Sequence, residues 1–118
     1  MSLLKLSDIV NSAVSYTLYA TKFVNLGQHS AQKEAMKAFI ISAGSRKMIE
    51  LYPNIYGSFA VLPAEYMMAG LMSAVYDIVA TNQYGLEKLG KEAMVQVAIQ
   101  VAGDYILKLA GKPDVQLL

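Results

Sequence analysis

The chain has 118 residues, of which 55% are apolar and 16% charged, with a net charge of +1 and no cysteine. That length holds one domain with a modest core, and the absence of cysteine excludes disulfides and thiolate metal sites. Lys and Arg nearly balance Asp and Glu and form no basic stripe, which argues against nucleic-acid binding by phosphate neutralisation. Charged residues make up about 25% of ordinary soluble domains, so part of this apolar surface needs cover from other subunits, from lipid or from copies of the chain itself.

The opening "MSLLKLSDIV" lacks a basic leader and a long apolar run, so no secretory signal is expected there. The first helix is expected from an N-cap at Ser7 to about Leu26, with Gly27 as its stop. Leu6, Ile9, Val10, Ala13, Val14 and Leu18 recur at spacings of three and four and make the apolar face of an amphipathic helix. Asn11, Ser12, Ser15 and Lys22 lie on the opposite side. The second helix is expected after Ser30 and through Glu50, with Ala35, Met36, Phe39, Ile40, Ala43 and Met48 on its apolar face. "YPNIYG", Tyr52 to Gly57, is a turn-rich linker.

Pro63 suits the first position of a third helix, where its missing N–H costs nothing, and Glu65 complements the helix dipole. That helix is expected to end near Thr81, before "NQYG". The fourth is expected from Leu86 to Ala110, with Gly111 and Pro113 as stop signals. Its polar residues Glu92, Gln96, Gln100, Asp104 and Lys108 fall every four positions, a narrow polar stripe on an apolar cylinder. Val95 to Ala102 also alternates with a period of two, but the surrounding Ala, Gln, Met, Lys and Glu favour helix.

"KEAM" occurs at Lys33 and again at Lys91, an offset of 58. Tyr16 and Tyr76, Thr21 and Thr81, Leu26 and Leu86, and Pro53 and Pro113 share an offset of 60. This collinear pattern suggests a duplicated helix–loop–helix unit, residues 1–60 and 61–118, within one helical domain spanning 1–118. The expected fold class is therefore all-α: four main helices in two hairpins, packed as a bundle.

Two long apolar stretches, Ile55 to Ala80 and Ala93 to Gly111, raise the question of membrane spans. Their mean hydropathy of roughly 1.1 lies below the ~1.6 of a confident span, and Glu65, Asp77, Asp104 and Lys108 interrupt them. Buried helices of a protein assembly are the preferred reading.

No catalytic set assembles. His29, the single histidine, sits in a loop without a partnering acid or nucleophile. Glu65 and Asp77 are too far apart on one helix to share an ion, and no Glu-x-x-His accompanies them. No catalytic, cofactor-binding or metal-binding residue is therefore assigned, and no cofactor is implied. Met67, Met68, Met72, Tyr66 and Tyr76, with Leu117 and Leu118 in the apolar tail, are the candidate interface residues. Small residues at Ala43-Gly44, Ala69-Gly70, Ser73-Ala74 and Ala102-Gly103 favour close helix approach. The expected function is that of a non-enzymatic structural or assembly subunit, homo- or hetero-oligomeric, for example a minor capsid component of a virus particle (virion). The alternatives are a small integral or membrane-apposed (membrane-associated) helical protein and a helical module for apolar ligands.

Overall fold

A computed structural model describes residues 4–24, 30–51, 64–82, 84–111 and 115–117. Four helices follow one another: α1 Leu6–Ala20, α2 Ala31–Leu51, α3 Ala64–Thr81 and α4 Leu86–Leu109. Among the described residues the chain is all-helical apart from one isolated bridge between Lys5 and Gln116. Residues 95–102, the stretch with strand-like alternation, lie inside α4.

The helix boundaries follow local chemistry. α1 starts one residue before Ser7, because the Asp8 carboxylate accepts the Lys5 N–H at 3.0 Å and takes over the capping role. It stops six residues before Leu26, since Lys22 adopts the left-handed region at φ 59°. Ser30 caps α2, its hydroxyl accepting the Lys33 N–H at 3.3 Å. Asn82 at φ 52° ends α3, and Gly111 at φ 66° follows α4 as a glycine stop does. Gly27, His29, the "YPNIYG" linker, Pro63, Pro113 and Leu118 lie outside the described residues.

Each helix packs on the next, and α4 closes back on α1. The connections between helix ends fix an up–down–up–down order. Asp8 near the start of α1 meets Arg46 near the end of α2, and Tyr66 at the start of α3 meets Asp104 near the end of α4. At that end the tail crosses back over the first turn, with Leu6 N–H donating to Val115 O and Leu117 N–H to Leu4 O, both at 2.8 Å. α1 and α4 approach closely at Gly103, where an added Cβ would collide with Asn11 Oδ1. Ala69 and Ser73 are likewise completely buried on α3, so small residues do line helix contacts.

The distribution of polarity is the reverse of an ordinary bundle. The buried side chains of α1 are Ser7, Asp8, Asn11 and Ser15, while Ile9, Ala13 and Tyr16 are exposed. α2 buries Glu34, Lys37, Ser42 and Ser45 beside Ala38 and Ile41, and exposes Met36 and Ile40. α4 turns Glu92, Gln96 and Gln100 inward with Leu89, Ile99 and Leu107. Among the described residues, thirteen polar or charged side chains are buried against seven apolar ones, and nineteen large apolar side chains are exposed. The helical periods legible in the sequence are therefore present, with the apolar faces of α1 and α2 pointing largely outward.

Candidate functional site

The inward polar side chains gather into two ionic clusters at opposite ends of the bundle. At the end holding the start of α1, Asp8 is completely buried. Arg46 grips it in a bidentate pair, Nη1 to Oδ1 at 2.7 Å and Nη2 to Oδ2 at 2.8 Å. The Ser42 hydroxyl donates to Oδ1 at 2.6 Å. Burial alone would raise the Asp8 carboxyl, but the hydrogen bonds from Arg46, Ser42 and the Lys5 amide, with the Arg46 charge, outweigh it and hold it below its ordinary range. Asn11 extends this network across the bundle, its amide nitrogen donating to Ser42 Oγ and to Gln100 Oε1, both at 3.1 Å. Three helices are thus tied at one level: α1 through Asp8 and Asn11, α2 through Ser42 and Arg46, and α4 through Gln100.

At the other end, Lys37 of α2 inserts its ammonium between α3 and α4. Its Nζ lies 2.6 Å from Asp77 Oδ1 and 3.7 Å from Glu92 Oε2, and all three side chains are at most 5% exposed. The same Nζ stands 5.7 Å from the centre of the Tyr76 ring. Glu34, one turn before Lys37, is also buried, and its backbone carbonyl accepts the Ser15 hydroxyl at 3.0 Å. Burial pushes the Glu92 carboxyl up to about 7; a hydrogen bond with Asp77 and the charges of Asp77 and Glu34 add to the rise, and Lys37 opposes it. The Tyr19 phenol of α1 is raised as well, first by burial and then by Glu34, Glu92 and Asp77. A cavity of about 270 Å³ adjoins the cluster and is lined by Lys33, Glu34, Lys37, Tyr76 and Asp77 among others. Between the two clusters, Gln96 and Ser73 are completely buried, and neither the Gln96 amide nor the Ser73 hydroxyl makes a side-chain hydrogen bond. Such groups cost about 1–3 kcal/mol each, so the interior is more polar than packing requires.

The exterior follows an equally clear pattern. Its exposed charges are Lys22, Lys33, Glu50, Glu65, Glu87, Lys91 and Lys108 among the described residues, all near helix ends. Lys5 and Lys22, Lys33 and Glu50, and Lys91 and Lys108 each stand seventeen positions apart. At 1.5 Å per residue, the pairs that lie within one helix, on α2 and on α4, bracket a belt of about 26 Å. Within it the exposed side chains are mainly apolar: Ile9, Ile40, Leu71, Val75, Val79, Met94, Val101 and Tyr105 are examples. The exposed Thr17 hydroxyl turns back to the Ala13 carbonyl at 2.9 Å. Grooves run along the outer seams, one of about 450 Å³ between α1 and α4 and one of about 430 Å³ between α1 and α2.

The sequence-derived interface residues divide between these regions. Met68 is 1% exposed and belongs to the core, where it cannot reach an outer partner. Met67 and Met72 are half-buried, and Met72 packs its methyl against Gly44. Tyr66 is half-buried and donates to Asp104 at 2.6 Å, which, ahead of burial, pushes its phenol up to about 12. Tyr76 faces Lys37, and Leu117 is exposed. Glu34, Lys37, Asp8 and Arg46 have no place among the sequence-derived interface residues, and Glu92 figures in the sequence only as part of the α4 polar stripe. For Asp8 and Glu92 the signal is the polar file each begins, Asp8, Asn11 and Ser15 on α1 and Glu92, Gln96 and Gln100 on α4; Glu34, Lys37 and Arg46 belong to neither.

Among the described residues no group of three or more His, Cys, Asp or Glu is arranged to hold a metal ion, and no helix is long and apolar enough to cross a membrane. No protein-family model, no curated protein and no solved structure matches the chain.

Proposed function

We propose that this chain is a non-enzymatic structural subunit whose working surface is its apolar exterior, packed against neighbouring subunits in a larger assembly, of which a virus particle would be one example. The observation that carries this reading is the reversed polarity: nineteen large apolar side chains are exposed around an interior that holds thirteen buried polar ones, among the described residues. An apolar surface of this extent is poorly compatible with an isolated chain in water. The ionic clusters serve such a subunit by fixing which helix lies beside which. Charged pairs and amide networks are direction-dependent, whereas apolar contacts are not.

The test is the solution state of the full chain. Purified without partners or detergent, it is expected to self-associate, bind a hydrophobic dye and become monodisperse when detergent covers its surface. A stable, dye-free monomer in plain buffer would overturn the proposal.

A second reading is favoured by one specific observation, the confinement of exposed charge to the helix ends. A belt of about 26 Å approaches the ~30 Å hydrocarbon core of a bilayer, and lysines at its rims can extend their ammonium groups toward headgroups. In this reading lipid, rather than protein, covers part of the belt. Alkaline carbonate treatment of membranes carrying the chain separates the two: release favours protein neighbours, and retention favours lipid.

A further inference from the structure

The cluster around Lys37 carries an unbalanced charge. Glu34, Asp77 and Glu92 are each no more than 4% exposed; Asp77 and Glu92 flank one buried ammonium, and Glu34 lies one turn before it on α2. Fully ionised, these four groups hold three negative charges against one positive, in surroundings where uncompensated charge is expensive. Lys37 cannot neutralise more than one carboxylate, and its geometry shows the division: 2.6 Å to Asp77 but 3.7 Å to Glu92. Glu92 is therefore the carboxyl with the weaker cationic partner, and it faces Asp77. Every packed helix contributes to its surroundings. α1 brings the Tyr19 phenol, α2 brings Lys33, Glu34 and Lys37, α3 brings Asp77, and α4 itself carries Glu87, Lys88 and Lys91 near Glu92. Lys33 is exposed at the adjoining cavity.

We propose that the Lys37–Asp77–Glu92 cluster is a proton-binding site, in which Glu92, facing Asp77, holds one proton that reduces the buried excess charge from two to one. On release, the Glu92 carboxyl gives its proton to water through the cavity beside Lys37 and Asp77, leaving a carboxylate and a hydronium ion. Two carboxylates then face each other beside a single ammonium, and the repulsion loosens α4 from α3 at this end. The site binds and releases a proton with no other reactant, and it does not depend on what covers the apolar exterior.

The experiment uses the full chain, labelled with ¹³C at the glutamate side chains and kept monodisperse in detergent. Its carboxyl resonances are followed with pH alongside the unfolding midpoint. The Glu92 resonance is expected to titrate near pH 7 rather than near 4.5. The wild-type midpoint is expected to fall as pH rises from about 4.5 to about 7 and to level off above that, and Glu92→Gln, which keeps the neutral shape, to lose that slope. A Glu92 titration near 4.5 overturns the proposal, as does an unchanged slope in Glu92→Gln. Should that variant fail to fold, the wild-type titration decides alone.

Discussion

Replacing Gly103 by alanine tests the polar interior at the position where it is most tightly built. The new Cβ would collide with Asn11 Oδ1 and lie 3.0 Å from its Cγ, so the Asn11 side chain must leave its position. Asn11 is completely buried and cannot swing into solvent without separating α1 from α4. Its two hydrogen bonds, to Ser42 and Gln100, are lost together. Two neutral hydrogen bonds lost in a buried site, with partners left unsatisfied, cost about 3–5 kcal/mol. Alanine returns about 1 kcal/mol through its higher helix propensity, leaving a net loss of about 2–4 kcal/mol. For a chain of this size that lowers the thermal midpoint by roughly 10 °C. Circular dichroism during heating measures it, and a double variant isolates the cause. Asn11→Ala removes the obstructing side chain, so adding Gly103→Ala to it should cost nothing further, a strong departure from additivity. If Gly103→Ala alone were neutral or stabilising, the close contact between α1 and α4, and the network read from it, would be refuted.

Lys37→Met removes the cation at the centre of the second cluster and should destabilise by about 3–5 kcal/mol, as unpairing a buried charge does; the loss, read from chemical denaturation, should be smaller in mild acid, where Glu92 carries its proton. Asp8→Asn deprives Arg46 of its charge partner and should cost about 3 kcal/mol near neutral pH. Because the folded Asp8 carboxyl lies below its ordinary value of 3.8, the stability it contributes is present above that value and disappears as pH falls through the lower, folded one. An acid titration of wild type against Asp8→Asn should therefore converge only in strong acid. Val79→Lys places a charge at a site 76% exposed; helicity should be unchanged while detergent binding and self-association fall, measured by light scattering.

The periods of α2, α3 and α4 could be read from the sequence almost to the residue, because Ser30, Asn82 and Gly111 mark their limits by caps and left-handed backbone. α1 was harder. Its end is set by Lys22 at φ 59°, and nothing in that residue's chemistry announces it. The direction of the faces was a different matter. Periodicity separates an apolar from a polar side but does not state which one meets the other helices. In α4 the polar file Glu92, Gln96 and Gln100 is narrow and the apolar arc wide, and in this bundle the narrow side is the one that fits inside. Pairings between distant positions, such as Lys37 with Asp77 and Arg46 with Asp8, depend on helix order and level. A linear reading does not contain them.

The repeated word "KEAM" has a consequence for which halves of the molecule can pair. In both copies the lysine is exposed, the glutamate buried and the methionine exposed. The match ends three residues on, where α2 has Lys37 and α4 has Val95. The ammonium of the cluster therefore comes from one hairpin and Asp77 and Glu92 from the other, so the buried ion pair exists only where α2 meets α3 and α4.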